Sequence, residues 1–133
     1  MADRLAKLMD IAARYTAAWC SQDAAQVAAF YAVDGSLTIN DNEPAVGRKA
    51  ITESVQSFMS SFPDLRVAMD GVNWIDEFAE YHWTLTGTNT GHGGKGNRVH
   101  ISGIEVWEFS REGLIRASKG RFDSGEYRRQ LAV

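Results

Sequence analysis

The chain has 133 residues, 44% of them hydrophobic and 23% charged, a balance that suits one globular domain over 1–133 and excludes wholesale disorder. Lys and Arg number 14 against 17 Asp and Glu, for a net charge of −3. With only two short basic pairs, Arg48-Lys49 and Arg128-Arg129, that argues against a nucleic-acid partner. No apolar run reaches the ~20 residues of a membrane span, and the N-terminal residues mix charge with apolar side chains rather than forming a leader. Cys20 stands alone, so no intrachain disulfide or Cys-based metal motif is expected. Together these favour a reducing, cytoplasmic setting. The four Trp, four Tyr and six Phe exceed what so small a core needs to fill space.

Helical spacing dominates before Pro63 and alternation after it. Leu5, Leu8, Ala12, Tyr15 and Trp19 form one apolar stripe, predicting a helix from about Asp3 to Cys20. Asp23-Ala24-Ala25-Gln26 reads as a capping box opening a short helix through Phe30 and Tyr31. Asp34-Gly35 predicts a turn, and 36–40 a short strand. Ile51, Val55, Phe58 and Phe62 mark a third helix, opening near Gly47 and stopped by Pro63. Four strands then follow: 65–76, 78–90, 98–109 and 114–122. A loop at 92–97 and an Arg111-Glu112-Gly113 turn separate the last three. Asp123 to Glu126 resembles a cap before a brief C-terminal helix. Helices first and antiparallel strands after predict α+β, with a curved sheet wrapped around three helices.

Parity assigns faces on the strands. Val99, Ile101, Gly103, Glu105, Trp107 and Phe109 share one side; Ala79, Tyr81, Trp83, Leu85 and Gly87 share another. On the last strand Ser118, Gly120 and Phe122 point inward, and by parity so does Arg116; the parity of Trp74 leaves its direction open. The inner wall therefore gathers Tyr15, Trp19, Tyr81, Trp83, Trp107 and Phe122 with few polar groups. Such a wall suits a small apolar ligand. The same residues at the same spacing also suit plain core packing.

Phe62-Pro63-Asp64-Leu65, then Trp83-Thr84-Leu85-Thr86-Gly87-Thr88-Asn89-Thr90-Gly91, Gly103-Ile104-Glu105, Gly113-Leu114-Ile115, Phe122-Asp123 and Gln130-Leu131 form an ordered series. In that order they resemble the SnoaL-like polyketide cyclase family, within the nuclear-transport-factor-2-like superfamily. The resemblance spans almost the whole chain. It implies a cone-shaped, cystatin-like α+β fold with a curved antiparallel sheet closing on three helices around a deep pocket. It also implies a homodimer joined through the outer sheet face. In the cyclase branch the last strand carries an acid/base Asp, and the corresponding residue here is Gly120. The expected carboxylate is missing.

Glu105 is the leading candidate for chemistry. A carboxyl in an apolar wall favours its neutral form, and a raised pKa suits a general acid or base near neutrality. An ion pair with Arg116, or a solvated position, is the structural alternative. Tyr15 and Asn40 are candidates to polarise a ligand carbonyl; Tyr15 could equally be core and Asn40 a turn residue. Ser118 could bind a ligand but lacks a His partner for nucleophilic catalysis. His82 and His100 fall on the outer face, where a cross-strand pair in a dimer interface is the simpler reading. No metal or cofactor is implied. Three readings remain: an enzyme using Glu105 on a small apolar substrate, a non-catalytic hydrophobic ligand binder, and a dimeric interaction module.

Overall fold

A computed structural model describes residues 2–132 as four helices and six strands in an α+β arrangement. The first helix, α1 (Ala2–Cys20), buries Leu8, Ala12, Tyr15, Ala18 and Trp19 along one face. Leu5, expected on that stripe, stays 43% exposed. Asp23 caps α2 (Ala24–Ala28) by accepting the Ala25 N–H at 3.1 Å. This helix is shorter than expected. The Phe30 N–H turns back to the Val27 carbonyl, and Tyr31 already begins β1 (Tyr31–Ile39). Tyr31 finds a strand partner in Ile115, and pairing overrides one further helical turn for a β-favouring aromatic.

Asp34-Gly35, expected as a turn before the strand, is an excursion within it. The strand advances from 31 to 36 while its partner advances only from 115 to 117. A Cβ at Gly35 would come within 2.8 Å of the Ile115 carbonyl oxygen, so this close approach requires glycine. A short β2 (Ala45–Val46), which alternation did not reveal, pairs with β1. Gly47, at φ 88°, then opens α3 (Arg48–Ser61), whose Ile51, Val55 and Met59 are buried.

The remaining elements follow the sequence pattern closely: β3 (Arg66–Ile75), β4 (Phe78–Thr88), β5 (Arg98–Phe109), β6 (Ile115–Phe122) and α4 (Ser124–Ala132). The curved sheet runs β2-β1-β6-β5-β4-β3. Its neighbours are antiparallel except β1 and β6, which run parallel. No hairpin joins those two, so the connection imposes no antiparallel sense. On one side of the sheet α1 packs on β3 and α3 on β1, with α2 against α3. The helix α4 docks on β5 through Gln130, whose amide accepts the His100 N–H at 2.7 Å and donates to its carbonyl at 2.9 Å. It stands where β6, ending opposite Gly103, no longer supplies a partner.

Faces are kept or switched according to register. The β4–β5 ladder runs unshifted from Ala79–Trp107 to Thr88–Arg98, so both inner faces lie where parity puts them. In β3 the register shifts between Met69 and Gly71. Val67 and Met69 before the shift, and Val72 and Trp74 after it, all pack on the core side. Trp74 therefore faces the helices, its ring 3.9 Å from the Arg4 guanidinium carbon. A second shift, at Glu108, turns Arg116 outward. Arg116 pairs with Glu108, which corrects the alternative expectation of an ion pair with Glu105. His82 stands opposite Ile104, and His100 opposite Thr86, so the two histidines do not form a cross-strand pair.

A Cβ at Gly103 would meet the Arg121 carbonyl oxygen at 2.5 Å and press into the Trp83 indole. Gly103→Ala should lower the unfolding free energy by about 1–3 kcal/mol in urea melts. Gly71→Ala, with open space around it, is the control and should change it by about 0.5 kcal/mol or less.

Candidate functional site

The unshifted ladder carries Glu105 to the middle of β5, facing inward and buried, between Tyr81 on β4 and Gly120 on β6. Three donors converge on one of its oxygens. Oε1 accepts the Tyr15 hydroxyl at 2.9 Å, the Trp107 indole N–H at 2.9 Å and the Ser118 hydroxyl at 2.8 Å. Each donor arrives by a simple rule. Trp107 lies two residues along β5 and so shares the face; Ser118 stands opposite Trp107 in register; Tyr15 comes from the buried stripe of α1. Behind them the Tyr31 hydroxyl lies 3.0 Å from that of Tyr15. Tyr81 stacks on Trp107 with centroids 4.8 Å apart.

The electrostatics follow from burial. Loss of solvent raises the Glu105 pKa, and the hydrogen bonds from Trp107, Ser118 and Tyr15 oppose that rise without cancelling it. Burial, and then the Glu105 charge, push the Tyr15 and Tyr31 phenols well above their usual range. Burial also raises Tyr81. An indole N–H can only donate, so Oε1 must act as an acceptor. A proton on Glu105 therefore belongs on Oε2, which makes no hydrogen bond among the described residues.

Glu105 also forms part of the wall of a partly enclosed cavity of about 60 Å³. Trp19, Tyr81, Trp83 and Phe122, all expected at the pocket, line it. So do Gly120 and a set of side chains that parity did not single out: Leu37, Ile39, Phe58, Val67 and Tyr127 among them. Leu37 and Ile39 alternate on β1, and Phe58 sits on the stripe of α3, so both signals were present in the sequence. Tyr127 comes from a helix too short to show a clear face. Glu105 is the only carboxyl in the wall among the described residues.

Tyr15, Trp107 and Ser118 stand behind Glu105 rather than in the cavity wall. Their polar atoms are committed to its carboxyl, and so they hold Glu105 in place. Asn40 is likewise turned away. It adopts φ 52° at the end of β1 and accepts the Phe122 N–H at 2.9 Å, the turn role rather than the ligand role. Asp123 accepts the Glu126 N–H at 3.0 Å, as a cap. Among the described residues no group of three or more His, Cys, Asp or Glu is gathered as a metal would need. No helix among them is long and apolar enough to cross a membrane.

Known proteins share this architecture at low identity. A protein with a ketosteroid isomerase-like fold from Catenulispora acidiphila DSM 44928, solved with trimethylamine, aligns with a TM-score of 0.80 at 13% identity over 92% of each chain. An NTF2-like protein of unknown function from Burkholderia pseudomallei K96243 gives 0.79 at 19% identity, over 94% of this chain and 97% of the other. A phenazine biosynthesis-related protein from Pseudomonas aeruginosa gives 0.77 at 14%, over 100% and 92%. At such identities the likeness establishes the fold. No curated protein matches the sequence. The SnoaL-like domain model matches residues 12–118, which takes in the helix of Tyr15, the strand of Glu105 and Ser118: the chain belongs to the SnoaL-like domain family.

Proposed function

We propose that the protein is a small-molecule enzyme that moves a proton on a small apolar substrate, with Glu105 as the acid/base. One observation carries this reading. A buried carboxyl has one oxygen saturated by three donors while its residue forms the polar point of an otherwise apolar cavity. Its raised pKa brings it toward the range where proton transfer in both directions is efficient. Tyr15, Trp107 and Ser118 hold the carboxyl in one orientation. The carboxylate missing at Gly120 is supplied in this reading from the opposite position on the neighbouring strand, since Gly120 and Glu105 are register partners. Isomerisation, cyclisation and dehydration all use such a group.

A second reading, a non-catalytic binder of small hydrophobic molecules, is favoured by the single carboxyl in the wall. No second carboxyl or His converges there among the described residues. Both readings take the protein as a homodimer joined through the outer sheet face, where Ile104 and Val106 stand opposite His82 and Glu80. Sedimentation of the wild type against Ile104→Glu tests that face, with a dimer expected to become a monomer.

Exchange of the α-protons of cyclohexanone for deuterium, followed by NMR, tests the acid–base reading without a known substrate. The wild type should accelerate exchange, and Glu105→Gln should lower that acceleration about 10²–10⁴-fold. The rate should rise with pH through a midpoint above that of an ordinary carboxyl. Binding of cyclohexanone with no exchange would favour the binder instead.

The same shift sets a pH dependence of stability. Folded Glu105 holds its proton more tightly than unfolded Glu105. Its contribution is therefore fully present below the ordinary Glu value and is lost as pH rises through the folded pKa. Glu105→Gln, which keeps an acceptor for the three donors and carries no charge, should remove that decline. Urea melts from pH 4 to pH 9, a range of about five units chosen to bracket the window, should show the variant gaining on the wild type as pH rises.

A further inference from the structure

Among the described residues, the Trp83 indole Nε1–H is the one side-chain polar atom that is itself fully buried and has no hydrogen-bond partner. An unpaired buried N–H costs on the order of 1–3 kcal/mol, and native interiors seldom keep one without a use. Its surroundings indicate the use. Trp83 lies in the wall of the Glu105 cavity. It stands opposite Gly103, two residues along β5 from Glu105 and on the same face. The missing side chain at Gly103 lets the benzo edge of the indole lie down on β5, and Phe122 meets it edge-on at 6.0 Å. The other polar groups have been spent. Tyr15 donates to Glu105, Asn40 accepts from Phe122, and the Tyr81 hydroxyl is 2.5 Å from that of Thr16. A neutral Glu105 adds a second donor, Oε2–H, so the cavity then offers a ligand donors and an apolar wall.

We infer that Trp83 is the specificity-determining residue of this cavity, its indole N–H taking the acceptor oxygen of a small aprotic carbonyl compound. This deepens the acid–base reading and rests on it. In this arrangement the carbonyl oxygen is set on Trp83 and the neighbouring carbon toward Glu105, which stands two residues along β5 from Gly103, the register partner of Trp83. The ionised Oε2 then takes the α-proton, the C–H electron pair becomes the enolate double bond, and the negative charge moves to the oxygen held by the indole N–H. Return of the proton from Oε2 restores the carbonyl. At about 60 Å³ the cavity is small, so a six-membered ring needs the wall to give. Phe122 and Tyr127, in edge-on contact at 5.4 Å, can yield without breaking a side-chain hydrogen bond.

The test compares cyclohexanone with methylenecyclohexane, which replaces the carbonyl oxygen by CH₂ in nearly the same shape. Binding is titrated while the indole N–H signals are followed by ¹H–¹⁵N NMR. The Trp83 signal is assigned both from through-space contacts to Phe122 and from its loss in Trp83→Phe, so the shift remains decisive if that variant is unstable. The ketone should bind about tenfold more tightly than the hydrocarbon, and only the ketone should move the Trp83 signal downfield. Trp83→Phe should keep hydrocarbon binding and lose the ketone's advantage. Equal affinities, or an advantage that survives in Trp83→Phe, would overturn the role of Trp83 and leave the pocket reading standing. Failure of both probes to bind would overturn the pocket itself.

Discussion

A carboxyl group taken out of water and held by three donors on one oxygen organises the interior. Burying a charge without partners costs several kcal/mol or more, so the site of Glu105 restricts what can surround it. Tyr15 must come from α1, Trp107 from β5 and Ser118 from β6, and each must arrive with a donor pointing at the same atom. Tyr31 extends the restraint to β1 through Tyr15. The first and last strands and the first helix are thereby tied, directly or through Tyr15, to one carboxyl on β5. The phenols nearby are pushed up by burial and by the Glu105 charge, so they remain neutral. Glu105 is left as the group in this cluster that can change charge within the ordinary pH range.

The same constraint accounts for Gly120. A Cβ there would lie 3.5 Å from the Glu105 Cγ, which is ordinary contact, so backbone sterics do not demand glycine. A carboxylate at that position would set a second negative charge beside the first in an apolar cavity, and two such groups cannot both ionise cheaply. The Glu105–Gly120 register pair carries one carboxyl rather than two. Read residue by residue against the SnoaL-like pattern, position 120 looks like a loss. Read across the ladder, the carboxyl stands one strand away on the same wall.

Parity reads well wherever a ladder is unbroken. Glu105, Tyr81 and Trp83 were placed from sequence because β4 and β5 pair without a slip. The one misplacement and the one direction left open both fall at irregularities that alternation cannot signal. Arg116 turns outward at a register shift, and Trp74 turns inward after another. Phe30 and Tyr31 carry helical spacing but leave the helix because a parallel partner, Ile115, waits on a strand formed more than eighty residues later. Local pattern contains no trace of that partner. The C-terminal helix is docked through a Gln side chain imitating a strand, which no periodicity announces.

Parity also gives a face and not a depth, and the site turns on that difference. Tyr15, Trp107 and Ser118 share the inner side with Trp19, Trp83 and Phe122, yet the first three end behind the carboxyl and the others in the cavity wall. What separates them is the destination of the polar atom. Trp107 has an acceptor two residues away on its own strand, and Trp83 has none. The aromatic excess of the sequence therefore divides by hydrogen bonding. Trp74 donates to the Arg4 carbonyl at 3.3 Å, Trp107 fixes the carboxyl, and Trp83 retains an unmet donor beside an apolar space. Among the described residues the interior partners its other fully buried side-chain polar atoms and leaves that one unmet.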